Sequence, residues 1–383
     1  MQTEGDSRKV GLILSGGGAR AAYQVGVLRA IANVLPRGIT NPFHVISGTS
    51  AGALNAVALA THAQRLRTGV RTLEYVWQNL TSAKVYRLDS GGILGSASTW
   101  VMAFVSGRQT EAPVSLLNNE PLGELLATTL KFERIQHNID IGLLDAISVT
   151  ASSYTSGESV SFFQAMKGIA DWEGPHRIGI RSKIRLEHLM ASSAIPTIFP
   201  AVKIGDHYFG DGSIRQLAPT STALHLGARK ILAIGVSATR GHRQRKSPEP
   251  SNPSLAQIIG HILNSAFVDT LDNDLEFLRH MNEVLPHVPK GRIKKNRLRH
   301  RVVDLLEISP SRDLNALAAE HFDSLPKSMR LFVKDRHSSI LSLLLFEPAY
   351  CNALMQLGTL DAMAKRDEIL RFFELPESAQ QLP

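Results

Sequence analysis

Cysteine is almost missing from this chain: Cys351 is the sole one in 383 residues. No disulfide can form within the chain, which excludes the small disulfide-stapled scaffolds and fits a reducing compartment. Long apolar runs are also missing. Leu341 to Phe346 is among the most apolar stretches and is far short of the roughly 18–20 residues of a membrane-spanning helix. Met1 to Lys9 is polar and of mixed charge, without an apolar core after a basic start, so no secretory signal is expected. Clustered His, Asp and Glu at metal-ligand spacing are not found, and no metal or other cofactor is expected. These absences point to a cytoplasmic protein, or one held at a membrane only by its surface.

What is present suits a folded enzyme. Hydrophobic residues make up 43%, enough for a sizeable core, and the length suits two domains or one large domain with an extension. The net charge of +8 is unevenly placed. One basic cluster is Arg240, Arg243, Arg245 and Lys246; another runs from Lys290 to Arg301 without an acid. Such patches concentrate polyanions. Neither interleaves with aromatics or sits in a known nucleic-acid module, so an anionic membrane is the expected partner and nucleic acid is not. A solvated loop is the plain alternative.

The order of apolar runs and glycines indicates a parallel sheet. Val10 to Leu14 is apolar, Ser15 to Gly18 is a glycine turn, and Ala19 to Leu35 has apolar residues at helical spacing. Phe43 to Ser47, Gly48 to Gly52 and an Ala-rich helix to about Ala63 repeat that pattern. Consecutive strand–turn–helix units imply a mainly parallel sheet covered by helices. Further strands are expected at Ala146–Ala151, Ser159–Phe163, Lys230–Val236 and Arg301–Ile308. Gln244–Pro253 reads as a linker. Helices are expected at about Leu255–Leu285, Lys327–Leu345 and Ala349–Phe373. Residues 89–109 are rich in Gly and Ser yet contain Trp100, Met102 and Phe104; they read as a packed loop or a lid facing lipid.

Gly48-Thr49-Ser50-Ala51-Gly52 matches the G-x-S-x-G nucleophile elbow between a strand and a helix. The sharp turn pushes the Ser50 hydroxyl outward, and the flanking glycines Gly48 and Gly52 give room for it. The following helix directs its positive end toward developing charge. Acyl transfer also requires donors for an oxyanion, and the amides of Gly16, Gly17 and Gly18 at a strand-to-helix turn can supply them. Arg20, one turn on, steadies that loop, binds a phosphate, or is a surface side chain. The same glycines fit a dinucleotide fingerprint, but Arg37 to Thr49 has no acid to hold a ribose. Gly210-Asp211-Gly212 is turn chemistry by itself. A Ser-His-Asp triad stays open by spacing, since His225, His242, His261, His280, His287, His300, His321 and His337 all lie downstream. His207, near Asp211, reads as an exposed loop histidine.

Taken in order, Gly16-Gly17-Gly18-Ala19-Arg20, Gly48 to Gly52 and Asp211-Gly212 resemble the patatin-like phospholipases. Ala191-Ser-Ser-Ala-Ile-Pro196 resembles that family's segment before the aspartate. The resemblance covers about residues 8 to 220 and departs at Ala21, where many members have Gly. It implies a three-layer α/β/α fold with a mainly parallel central sheet, followed by a mostly helical C-terminal extension. It also implies that Gly16 to Gly18 form the oxyanion hole, that Ser50 attacks a lipid ester, and that Asp211 takes its proton. Residues 8–225 are expected to form the catalytic domain, and residues 226–383 to supply sheet-completing strands, the basic linker and the helices. A triad esterase and a lipid-binding scaffold without turnover are the alternatives.

Overall fold

Strand burial shows how the sheet is covered. In β1 (Val10–Leu14), Val10, Leu12 and Leu14 enter one apolar cluster and Ile13 enters another on the opposite face, as the two-residue period of a strand requires. β2 (Val45–Thr49) divides Ile46 and Val45 in the same way. Strands buried on both faces need helices on both sides. The computed structural model describes residues 9–87, 115–238, 260–262, 264–266, 270–289, 301–333, 336 and 338–375. The lid expected at 89–109, the linker at 244–253, the cluster Arg240–Lys246 and the cluster from Lys290 up to Arg301 lie outside them.

The remaining strands are β3 (Ala146–Ser153), β4 (Ser159–Ala165), β5 (Trp172–Gly174), β6 (Arg177–Arg181), β7 (Val202–Ile204), β8 (His207–Asp211), β9 (Lys230–Ile234) and β10 (Asp304–Ile308). They form one sheet in the order β10-β9-β1-β2-β3-β4-β6-β5. From β10 to β3 every pairing is parallel. β4 turns back antiparallel, and β8 pairs with the last residues of β3, setting Asp211 opposite Ala151. In parallel sheets, sites form beyond the carboxyl ends of the strands. The loops after β1 and β2 leave at that end.

One face carries α1 (Ala22–Val34), α2 (Ala51–Thr61) and α3 (Leu66–Gln78), with α4 (Glu120–Thr129) and α5 (Leu186–Ser192) further along the chain. The other carries α6 (Pro219–His225) and α7 (Thr270–Val284), whose Leu271, Leu275 and Leu278 join the second cluster. This is the three-layer arrangement expected from the sequence. After β10 come α8 (Leu314–Glu320), α9 (Ser339–Leu344) and α10 (Pro348–Ala364). Among the described residues no helix is long and apolar enough to cross a membrane.

Two expected helices are broken. Lys327–Leu345 divides into Lys327–Phe332 and α9, because Ser338 starts a new helix by accepting from the Ile340 amide at 3.4 Å. The helix expected to Phe373 is interrupted at Lys365 (φ −101°, ψ 21°), after which Arg366–Phe372 continues.

Helices α1 and α10 pack almost backbone to backbone. A Cβ on Gly26 would lie 2.0 Å from the Met355 carbonyl oxygen, and one on Gly358 would lie 2.2 Å from that of Tyr23. Thr359 Oγ1 donates to the Gly26 carbonyl at 3.0 Å, and Tyr23 donates to Asp361 at 3.0 Å. Gly26→Ala must separate the pair, and overpacking of this kind costs about 1–3 kcal/mol or more. The expected result is a lower denaturation midpoint with an unchanged slope; a midpoint equal to the parent's would show that the contact can relax freely.

Candidate active site

Ser50 sits where β2 ends and α2 begins, with φ 54° and ψ −131°. A non-glycine residue in that region costs about 1–3 kcal/mol and persists only where its surroundings fix it. The flanking glycines are required sterically. A Cβ on Gly48 would stand 2.6 Å from the Ala53 Cα, and one on Gly52 would stand 2.3 Å from the Leu14 carbonyl oxygen. The Ser50 amide donates to Ser192 Oγ at 2.8 Å, and that hydroxyl donates to the Thr150 carbonyl at 2.6 Å. The Ser50 amide is therefore committed to the scaffold and is turned away from any oxyanion role.

Asp211 ends β8 and opens a short 3-10 turn. Its Oδ1 accepts from the Ser213 amide at 2.9 Å, and its Oδ2 accepts from the Ser50 hydroxyl at 2.5 Å. The turn chemistry read from Asp-Gly is thus real, and the second oxygen is left for Ser50. The backbone is pinned as well: the Asp211 amide donates to the Ala194 carbonyl at 2.8 Å, and Ser152 Oγ donates to the Asp211 carbonyl at 2.9 Å. A Cβ on Gly212 would reach within 2.1 Å of the Thr150 carbonyl oxygen, so only glycine fits there. Asp211 is wholly buried, and burial raises its pKa to about 7 against the opposing hydrogen bonds from Ser50 and Ser213.

Among the described residues, no histidine hydrogen-bonds to Ser50 or Asp211. His207 is exposed beside Phe209, and His225 stacks on Trp172 with ring centroids 4.4 Å apart. His242, His300 and His337 lie outside the described residues.

The glycine loop runs alongside. Gly18 has φ +55°, and a Cβ on it would sit 2.2 Å from the Leu343 carbonyl oxygen; a Cβ on Gly17 would meet Val236 at 2.6 Å. Arg20 is buried and does not face solvent. Its guanidinium donates to Ser342 Oγ (2.7 and 3.0 Å), to Asn315 Oδ1 (2.9 Å) and to Asn264 Oδ1 (3.2 Å). Burial lowers its pKa, opposed by the fields of Tyr350 and Asp313. Of the readings open from sequence, steadying the loop is the one these contacts match.

A second support was not visible from sequence. Gln24 donates to the Ser15 carbonyl at 2.8 Å, Asn55 donates to Gln24 at 3.0 Å, and Trp77 donates to Asn55 at 2.9 Å. A buried, fully partnered chain of this kind fixes one arrangement of its members.

The sequence profile of the patatin-like phospholipases matches residues 12–224, more than half of the chain. The chain belongs to the patatin-like phospholipase family. Membership of that family implies lipid hydrolase activity. No curated protein is matched by sequence. Among solved structures, the chain is similar to VipD from Legionella pneumophila at 13% identity, with 94% of this chain and 67% of VipD covered and a TM-score of 0.35. It is also similar to human GIVD cytosolic phospholipase A2 in complex with methyl gamma-linolenyl fluorophosphonate and terbium chloride. There the identity is 14%, 99% of this chain is covered, and the TM-score is 0.44; the chain spans 60% of that human protein.

In this patatin-like chain Ser50 lines a narrow cavity of about 60 Å³. Its wall is almost wholly apolar, with Leu54, Leu73, Trp77, Leu126, Phe199 and Phe346 prominent. Gly18 shares this wall with Ser50, whereas Gly16 borders a smaller cavity of about 20 Å³ with Ser213 and Gln216. Among the described residues, no three His, Cys, Asp or Glu side chains converge as a metal-ligand set. Cys351 is buried, and burial pushes its thiol up to about 12, making it a core residue rather than a nucleophile.

Proposed function

We propose that the chain cleaves carboxylic esters of lipids by a Ser50–Asp211 dyad through an acyl-enzyme. The observation that carries this reading is the 2.5 Å hydrogen bond from the Ser50 hydroxyl to a fully buried carboxylate, with Ser50 lining an apolar cavity. Asp211 is basic enough to accept a proton near neutrality. In acylation Ser50 Oγ bonds to the acyl carbon while its proton passes to Asp211. The ester C–O bond then breaks with its electron pair on the alcohol oxygen, and Asp211 returns the proton there. In deacylation water follows the same route and regenerates Ser50 with release of the fatty acid. The Gly17 and Gly18 amides and the amino end of α2 stabilise the tetrahedral oxyanion, because preorganised donors act where charge develops. The apolar wall receives the acyl chain.

The test is fatty-acid release from a panel of phospholipid, lysophospholipid and glyceride, together with labelling by alkyl fluorophosphonates. Long-chain fluorophosphonate is expected to label Ser50 faster than a short one, because burial of each additional CH₂ contributes about 0.8 kcal/mol. Labelling without any ester turnover would favour a lipid-binding scaffold; absence of both would overturn the dyad.

A further inference from the structure

The last residue of α5 and the segment after it hold the backbones of both reacting residues. Ser192 Oγ accepts from the Ser50 amide, and the Ala194 carbonyl accepts from the Asp211 amide. Ser193 lies between them. It is 7% exposed and lines the same cavity as Ser50. Among the described residues its hydroxyl has no hydrogen-bond partner. A buried hydroxyl without a partner is unfavourable, and here it is held by two neighbours whose own bonds fix the catalytic pair.

We infer that Ser193 is a third catalytic residue, whose hydroxyl donates a hydrogen bond to the ester's alcohol oxygen as it leaves. This rests on the dyad reading of Ser50 and Asp211. The side of approach identifies the atom. In the sheet β2 lies between β1 and β3. The glycine loop follows β1, so oxyanion donors come from that side of Ser50. Ser193 belongs to the opposite side, where β8 pairs with β3 and brings Asp211. The oxygen that departs with the C–O electron pair takes its proton from Asp211, so it must sit on that side. Ser193 donates a hydrogen bond to this oxygen while the negative charge grows, and Asp211 completes the alcohol. In deacylation the attacking water occupies the same place, its oxygen accepting from Ser193 as its proton goes to Asp211.

The experiment compares kcat/KM for two esters of one fatty acid: a glyceryl ester, whose alkoxide is a poor leaving group, and a 4-nitrophenyl ester, whose phenolate needs no such help. Ser193→Ala should lower the glyceryl value roughly tenfold, the worth of about one hydrogen bond, and leave the 4-nitrophenyl value nearly unchanged. Ser193→Thr, which keeps the hydroxyl, should restore the ratio. Fluorophosphonate labelling of Ser50 checks that each variant is folded, and if Ser193→Ala is not, Ser193→Cys gives the same ratio. Equal losses on both esters, the mark of a purely structural role, or no loss on either, would overturn the inference. A parent that hydrolyses neither ester would remove the dyad and Ser193's role together; an active parent with an unchanged ratio removes only the latter.

Discussion

Ser50→Ala lowers fatty-acid release by at least roughly 10⁴-fold, the scale seen when a nucleophile that works as a unit with its base is removed, while the unfolding curve stays close to the parent's. Asp211→Asn does the same to turnover, since an amide cannot take the Ser50 proton. Its stability changes with pH in a direction that can be worked out. The folded-state pKa of about 7 lies above the ordinary carboxylate value, so the native state holds a proton that the unfolded chain has released. That stabilisation is fully present below about pH 3.9 and is lost as pH rises through about 7. Asparagine resembles the protonated carboxyl at every pH. The variant should therefore melt like the parent near pH 4 and above it at pH 8, by differential scanning calorimetry. For the parent, kcat/KM should fall as pH drops below about 7, with Asp211 the group that protonates. Full activity in Asp211→Asn would remove the dyad.

Gly18→Ala is the second large effect, and it acts without touching either reacting side chain. Its φ of +55° is strained for alanine, and the added methyl would lie 2.2 Å from the Leu343 carbonyl oxygen, a backbone atom that cannot turn aside. The loop must shift, and with it the amides assigned to the oxyanion. Loss of one such donor lowers kcat by roughly 100- to 1,000-fold. Strain of this kind also costs about 1–3 kcal/mol of stability. Turnover and denaturation midpoint measured together distinguish the two losses: KM should change little while kcat collapses. A variant with parental kcat would show that the Gly18 amide is not a donor.

How far the site could be read in advance depended on how local each part is. Ser50 was legible because its geometry is made by its neighbours in sequence: a buried strand, two glycines that nothing larger can replace, and a helix. Asp211 was not legible from chemistry alone. Asp-Gly describes a turn, and the turn is there, but the 2.5 Å approach to Ser50 depends on β8 pairing with the end of β3. The family resemblance supplied what the pattern could not. Arg20 reads from sequence as a brace for the loop, a phosphate ligand or a surface side chain; its burial follows from acceptors on Ser342, Asn315 and Asn264, far along the chain. Ser192 and Ser193 are adjacent serines that sequence cannot tell apart, yet one supports the nucleophile and the other faces the cavity. The short strands β5 and β7 carried no recognisable period, and the pauses at Ser338 and Lys365 were hidden inside good helical patterns. The central strands, buried on both faces, were the easiest to find.

The bond from Arg20 to Ser342 spans 322 positions, which sets the order in which the enzyme matures. During synthesis Ser50, Asp211 and the strands that carry them are all made while the residues that brace the glycine loop are still to come. Contacts between residues so far apart in sequence tend to form slowly. On the dyad reading, hydrolytic competence is expected only after α9 has docked against Arg20. A chain clipped before α9 lacks the Ser342 acceptor that holds Arg20 beside the glycine loop. On the dyad reading, turnover then reports whether those C-terminal helices have docked.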